Sequence, residues 1–226
     1  MANPIVIRLG ITCVYLIPGK AGYLLIDAGS RGKAPVFLSA LSRHGISPRQ
    51  IRLIIITHVH YDHVGSLQAI RRYHCPCPVL VHQAEADLLT QGRMVLPPGT
   101  RPLTCCLIAL ARRHPRLAQR LLRFDGVVPD RVIQGQVDLA QDGFDARVLS
   151  TPGHSPGSIS VVTSSGQAFV GDLAINYLPG DRGPFTPPFG DSVDRIRTSW
   201  RVLVDMGVKM IYPAHGRPFE AHKLPC

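Results

Sequence analysis

The sequence predicts an α/β fold, a four-layer αββα sandwich of two mixed β-sheets with outer helices. Three observations carry this. Short strands joined by tight turns open the chain. An apolar, β-branched stretch at 51–57 runs directly into a cluster of histidines and an aspartate. Helix, strand and a residue of metal-ligand type then recur in the second half in the order seen in the first. A sheet must bury a face and a helix a stripe, so two such halves are expected to pack sheet to sheet.

Taken in order, residues 5–9, 13–17 and 23–26 read as strands, the last two joined by the PGKAG turn at 18–22. Asp27-Ala28-Gly29-Ser30 ends the third strand in a glycine turn. Over 33–44, Val36, Phe37, Ala40 and Leu41 recur at helical spacing, and Gly45 supplies the stop. The nearly unbroken apolar run at 51–57 suits a strand buried on both faces. A helix over 64–73, a strand over 79–81 and a helical turn over 83–89 follow. Between Asp87 and Asp125 there is no acidic residue, whereas Arg93, Arg101, Arg112, Arg113, Arg116, Arg120 and Arg123 all fall there. Within that segment 103–113 and 115–124 read as two amphipathic helices divided at His114-Pro115, because proline is tolerated in a helix's first turn and not in its interior. Strands resume over 132–134, 144–149, 159–162 and 168–170. Asp191 or Ser192 caps a helix over 192–206, and a last strand, 209–212, ends in Pro213-Ala214-His215-Gly216.

With 226 residues, 45% of them hydrophobic, and no composition break or Ser/Gly-rich linker, the expectation is one domain over 1–226 carrying a basic helical insertion at about 90–125. The N-terminus lacks a basic start followed by an apolar core and a small-residue cleavage site. No apolar run is long enough to span a bilayer, so a cytoplasmic protein without a transmembrane segment is expected. The six cysteines (Cys13, Cys75, Cys77, Cys105, Cys106, Cys226) include no CxxC pair, which argues against a thiolate zinc site or a dithiol redox motif. Buried, reduced thiols are the preferred reading, a disulfide from Cys75 or Cys77 the alternative. The net charge of +10, from 21 Arg and 4 Lys, suits anionic small molecules, nucleic acid or an acidic membrane, and by itself does not choose among them.

His58, His60, Asp62 and His63 stand within six residues at the end of the 51–57 strand. Protonated imidazoles so close would repel one another, and neutral ones packed together would lack partners; a shared cation removes both difficulties. In an extended turn His58 and His60 point the same way, while Asp62 and His63 open the following helix and can face a second cation. The plain alternative is a solvated His-rich turn. Three further residues weigh against it: His154 in TPGHSPGS, Asp172 in FVGDLA and His215 in YPAHG, each where a predicted strand gives way to a Gly or Pro turn. Strand-end loops on one rim converge, and seven N/O donors are what two divalent ions sharing a carboxylate need.

Together these motifs carry a resemblance. The cluster, preceded by LLIDAG and followed in order by TPGHSPGS, VGD and PAHG, resembles the metallo-β-lactamase fold superfamily of binuclear metallohydrolases over essentially the whole chain. The resemblance implies that His58, His60 and His154 hold one metal, that Asp62, His63 and His215 hold a second, and that Asp172 bridges them. It implies two divalent ions, zinc first, with iron or manganese as alternatives. Asp27 matches an acidic turn that supports the site by hydrogen bonding. An aspartate at 172 is similar to the glyoxalase II, lactonase and ribonuclease Z branches, whereas antibiotic-hydrolysing β-lactamases usually carry another residue there and are exported. Flavodiiron proteins generally carry glutamate where this chain has His60. The chain also departs from the hydrolytic branches. The tyrosine of acyl-homoserine lactonases would stand three residues after Asp172, but Tyr177 lies two further on; the glutathione-binding lysines of glyoxalase II and the long arm of ribonuclease Z are not recognisable.

The expected reaction is hydrolysis of a carboxylic ester, thioester or lactone. A hydroxide bridging the metals attacks the acyl carbon while one metal polarises the substrate oxygen, and Asp62 orients the hydroxide. Tyr177 is the candidate proton donor, with a packing aromatic as the plainer reading. One rival is a phosphodiesterase or nuclease of the same fold, favoured by the charge but not by an aromatic content of 6%, too low to suggest base stacking. The other is an iron-dependent redox enzyme resembling persulfide dioxygenase. The expected partner is a small-molecule substrate, anionic or with an apolar tail, selected by the Arg-rich insertion above the metal rim. A homodimer interface is the alternative use of that insertion.

Overall fold

The alternation of apolar side chains along the first strands splits them between two cores. The computed structural model of the protein describes residues 3–20, 22–73, 77–178, 183 and 185–225. Strands β1 (Ile5–Leu9), β2 (Thr12–Gly19) and β3 (Gly22–Ile26) pair antiparallel, and β4 (Ile51–Ile55), β5 (Val79–His82) and β6 (Arg131–Ile133) continue the sheet in parallel. Val14, Leu16, Leu25 and Ile54 face helices α1 (Ala34–Arg43), α3 (Leu67–Arg72) and α4 (Gln83–Gln91). Their neighbours Tyr15, Leu24, Ile26, Leu53 and Ile55 point the other way, onto Val148, Val161 and Phe169 of the second sheet and Phe144 just before it.

That second sheet runs β12-β11-β10-β9-β8-β7, where β7 is Val137–Asp138, β8 Ala146–Ser150, β9 Ile159–Thr163, β10 Gln167–Asn176, β11 Met210–Gly216 and β12 Phe219–Glu220. All neighbours are antiparallel except β10 and β11, which makes this sheet mixed as well. Its outer face packs Val162, Ala168 and Ile211 against Ile196, Trp200 and Leu203 of α7 (Val193–Asp205). Four layers result, as predicted. Ser192 caps α7, its hydroxyl accepting from Arg195 N.

Three departures have physical causes. The predicted 64–73 helix is interrupted between α2 (Tyr61–Val64) and α3, because Ser66 N leaves the helical ladder to donate to Gly29 O at 3.3 Å, and Gly65 is packed so closely that a Cβ would lie 2.3 Å from Arg31 N. Asp172 and His215 are not in turns after their strands but within them. Parallel pairing of β10 with β11 carries both strands past Gly171 and Pro213, the residues that signal breaks. The pairing register shifts on both sides of Gly171, and this irregularity re-aims Asp172. Gly171 has φ +53°, and a Cβ there would lie 2.4 Å from Thr57 Oγ1, so only glycine lets β10 pass so close to the end of β4. Finally, the thiols are not all buried: Cys13 and Cys77 are, but Cys105 and Cys106 lie on the solvent side of α5 (Pro102–Arg113), whose buried line is Thr104 and Ile108. All four are free thiols; Cys75, Cys226 and the predicted turn residue Ala21 lie outside the described residues.

The basic segment forms α5 and α6 (Pro115–Leu121), with Leu103, Leu107 and Leu110 more than half exposed. Its base is fastened to the 187–190 segment, where Thr100 N donates to Pro188 O at 3.0 Å and Gly190 N to Pro98 O at 2.9 Å. Among the described residues no helix is long and apolar enough to cross a membrane.

Candidate metal centre

Where β3 and β4 end side by side, one aspartate joins their two turns. Asp27 has φ +61°, the one positive value among described non-glycine residues. Its carboxylate accepts from Thr57 N at 2.8 Å and from Thr57 Oγ1 at 3.0 and 2.9 Å, and it receives His63 Nδ1 at 2.8 Å. The predicted supporting role of Asp27 is thus visible as hydrogen bonds to the loop that carries the histidines.

All seven predicted metal residues come together, in two groups that could each hold an ion: His58, His60, His154 and Asp172 in one, Asp62, His63 and His215 in the other. In the first, His58 Nε2, His60 Nδ1 and His154 Nε2 form a triangle with sides of 3.0, 3.1 and 3.0 Å. Hydrogen bonding cannot satisfy this triangle. The Thr57 hydroxyl proton is committed to Asp27, so Thr57 Oγ1 can only accept from His58 Nδ1, 3.1 Å away. The carbonyl of Phe189 likewise takes the Nδ1 proton of His154 at 2.9 Å. Both residues therefore present bare Nε2 lone pairs to each other. Tetrahedral zinc with nitrogen ligands would set such atoms roughly 3.3 Å apart, so the triangle suits a cation.

The second group is arranged in the same way. His63 Nδ1 is held by Asp27, and His215 Nδ1 lies 3.0 Å from the carbonyl of Ile11, which leaves both Nε2 atoms directed inward. His215 Nε2 is 3.1 Å from Asp62 Oδ2. Asp172 spans the two groups: its Oδ1 is 3.2 Å from His63 Nε2 and 3.3 Å from His215 Nε2, and its Oδ2 is 3.7 Å from His154 Nε2. Although His63 Nε2 and Asp172 Oδ1 are close, they are not aligned as a hydrogen bond, and both are buried polar atoms without a partner. Unaligned proximity of this kind is what two donors to one ion show.

Electrostatics divides the imidazoles. Burial, reinforced by neighbouring histidines, holds His58 well below the ordinary range and pushes His60 down to about 3; burial also lowers His154. For His63 and His215 burial works in the same direction but is outweighed by carboxylates, Asp172 foremost, which raise them to about 10 and about 12. Burial would raise Asp62 and Asp172, yet the same histidines hold both below the usual carboxylate range. Without metal, then, His63 and His215 carry protons that a coordinating Nε2 cannot keep. Zinc loading near pH 6 is expected to release about two protons per chain, and metal affinity to rise with pH. Calorimetric titration in two buffers of different ionisation enthalpy checks this; release of none, or of about five, would overturn the assignment.

Two buried residues with no visible sequence signal complete the site. Thr12 Oγ1 donates to Asp62 Oδ2 at 3.2 Å. Glu85, at the start of α4, accepts from Val59 N at 3.0 Å, Ser155 Oγ at 2.7 Å and Gly157 N at 3.2 Å, joining the His58–His60 loop to the His154 loop. Above the donors lies a pocket of about 270 Å³ with walls that include Met94, Leu96, Ile108 and Leu122 from the basic segment and Phe189 opposite. Tyr177 stands at its edge, 58% exposed, its ring centred 5.9 Å from that of His215. Burial keeps its phenol pKa above the ordinary value.

With this geometry in place, a family model described as the metallo-beta-lactamase superfamily matches residues 7–215. A probable metallo-hydrolase of Methanocaldococcus jannaschii is 28% identical over 206 residues, covering 89% of this chain and 86% of that protein. The acyl-coenzyme A thioesterase MBLAC2 of Gallus gallus is 29% identical over 227 residues, covering 93% and 74%. An archaeal metallo-beta-lactamase superfamily protein from Sulfolobus tokodaii has the same fold, with a TM-score of 0.67 over 99% of this chain and 83% of that one at 24% identity.

Proposed function

This chain belongs to the metallo-beta-lactamase superfamily, and from that premise we propose that it is a binuclear zinc hydrolase of ester-type bonds whose substrate is a thioester. The observation that supports this most directly is the pair of converging donor groups with Asp172 between them. His58, His60 and His154 would hold one ion, Asp62, His63 and His215 the other, and Asp172 both. When bound, the ions supply Lewis acidity for the substrate carbonyl and lower the pKa of the water that attacks it. The chain's own residues do the rest. Asp62, which as a metal donor would be ionised, accepts a hydrogen bond from that water and aims its lone pair at the acyl carbon. The apolar walls of Met94, Leu96, Ile108 and Leu122 take the acyl chain and exclude bulk water. A new C–O bond forms as the C–S bond breaks, giving a carboxylate, a thiol and one proton. A thiolate leaves readily without a general acid, since a thiol's ordinary pKa is about 8.5. Tyr177, with its phenol protonated, serves as a hydrogen-bond donor to the substrate at the pocket mouth.

The thioester assignment draws on the thioesterase among the relatives and on the apolar pocket. Elemental analysis of protein expressed with zinc and iron both available is expected to find about two zinc ions per chain, the number the donor set can hold. Chelation should abolish hydrolysis of decanoyl-coenzyme A, zinc should restore it, and Tyr177→Phe should lower kcat by about tenfold or less. Predominant iron, or turnover of phosphodiesters and not thioesters, would overturn the reading.

A further inference from the structure

A second cavity, of about 430 Å³, adjoins the metal pocket, and Met94, Leu96 and Leu122 line both. Around it stand Arg93 after α4, Arg112 on α5 and Arg123 after α6, three arginines from three separate stretches of chain. The stretch 88–124 that carries them contains no acidic residue; the flanking acids are Asp87 and Asp125, and neither lines the cavity. Among the described residues the arginine–carboxylate pairs are Arg71 with Asp130 and Arg131 with Asp142, both elsewhere, and the hydrogen bond found for Arg112 is a long one, 3.4 Å, to the carbonyl of Leu96. All three are exposed, so water screens part of their mutual repulsion, and their combined positive charge at one cavity mouth favours an anion there. A phosphate group suits three guanidiniums better than a single carboxylate does, because it carries more than one negative charge and has enough oxygens for more than one guanidinium to bind through two parallel N–H donors.

From this juxtaposition we infer that Arg93, Arg112 and Arg123 form a binding site for the phosphate groups on the thiol half of the substrate, the acyl half lying in the metal pocket across the Met94, Leu96 and Leu122 wall. The inference rests on the thioesterase reading and extends it from bond to substrate class: acyl esters of a phosphorylated thiol, as opposed to simple thioesters. The arginines are specificity-determining residues and lie away from the reacting atoms.

The test compares two substrates with the same acyl chain, decanoyl-coenzyme A and the phosphate-free decanoyl-N-acetylcysteamine. The triple variant Arg93→Gln, Arg112→Gln, Arg123→Gln, in the full zinc-loaded chain, is expected to raise KM for the first by about tenfold or more. Its kcat on that substrate, and both constants for the second, should stay within about twofold. Unchanged KM on both substrates, or an equal loss on both, would overturn the inference. If the wild-type protein hydrolyses neither thioester, the thioesterase reading falls, and direct titration with coenzyme A decides the site separately. Binding weakened about tenfold or more in the triple variant upholds a phosphate site, and no binding at millimolar ligand removes it. Tighter binding of inorganic pyrophosphate than of coenzyme A overturns the inference in favour of a free-anion site.

Discussion

Asp62→Asn is expected to lower kcat on a thioester substrate about a thousandfold or more while the protein stays folded. The Asp62 side chain is 9% exposed and has little freedom: Oδ2 accepts from Thr12 Oγ1 and lies 3.1 Å from His215 Nε2. Asparagine can keep an oxygen at that position, so the hydrogen bond from Thr12 survives, but the charged contact with His215 does not, and the stability loss in the metal-free protein is of the order of 2–3 kcal/mol. The negative charge does not survive. It balances the charge that metal brings to a buried site, and it orders the attacking water by accepting a hydrogen bond from it. Three measurements on the purified variant separate these roles: kcat, thermal melting and metal content. Two ions retained with turnover lost would assign Asp62 to orienting the water, and loss of one ion would assign it to holding metal. Wild-type turnover would remove both roles.

Why such a site can be read from sequence in part, and only in part, follows from how its pieces are placed. His58, His60, Asp62 and His63 are legible because a strand followed by a helix turns their spacing into direction, so the local sequence alone fixes that they converge. The layer order is legible for a similar reason: period-two strands next to period-3.6 helices leave few ways to bury every apolar face. Asp172 and His215 are recognised as donors but misplaced at strand ends, because Gly171 and Pro213 signal breaks that the parallel β10–β11 pairing overrides. The positive φ of Asp27 has no local signature, since aspartate in a DAG turn fits several backbone conformations. Leu103, Leu107 and Leu110 have helical spacing that suggests a core face, yet the packed line of α5 is Thr104 and Ile108, which depends on the partner loops and not on the helix itself. Glu85 is the extreme case. An acidic residue in a helix's first turn is adequately explained by the helix dipole, and nothing near it points to a site formed with residues 70 positions away.

Glu85→Gln is nonetheless expected to be among the more damaging isosteric substitutions in the chain. Every partner of this 3% exposed side chain acts as a donor: Val59 N reaches one oxygen, while Ser155 Oγ and Gly157 N reach the other. A glutamine must turn its amino group to one side or the other. On one side it meets the Val59 N–H; on the other it meets the Gly157 N–H, even if Ser155 Oγ turns its proton towards Ser158 Oγ, 2.9 Å away. Either orientation leaves a buried backbone donor facing a donor, at a cost of about 1–3 kcal/mol, or on the order of 5 °C in Tm for a chain of this size. There is no room for the side chain to withdraw past Gly157, where even a Cβ would lie 2.5 Å from Glu85 Cγ. The backbone must therefore shift, and the loops that shift carry Val59, between His58 and His60, and Ser155, next to His154. Metal affinity at that group of histidines is expected to fall by roughly 10- to 100-fold, the usual effect of disturbing groups that orient metal-binding side chains. Competition with a zinc chelator, read alongside thermal melting of the metal-free protein, distinguishes the two consequences. A variant that melts lower without metal but holds zinc as tightly as the wild type would make Glu85 a purely structural residue, and one unchanged in both would remove it from the site altogether.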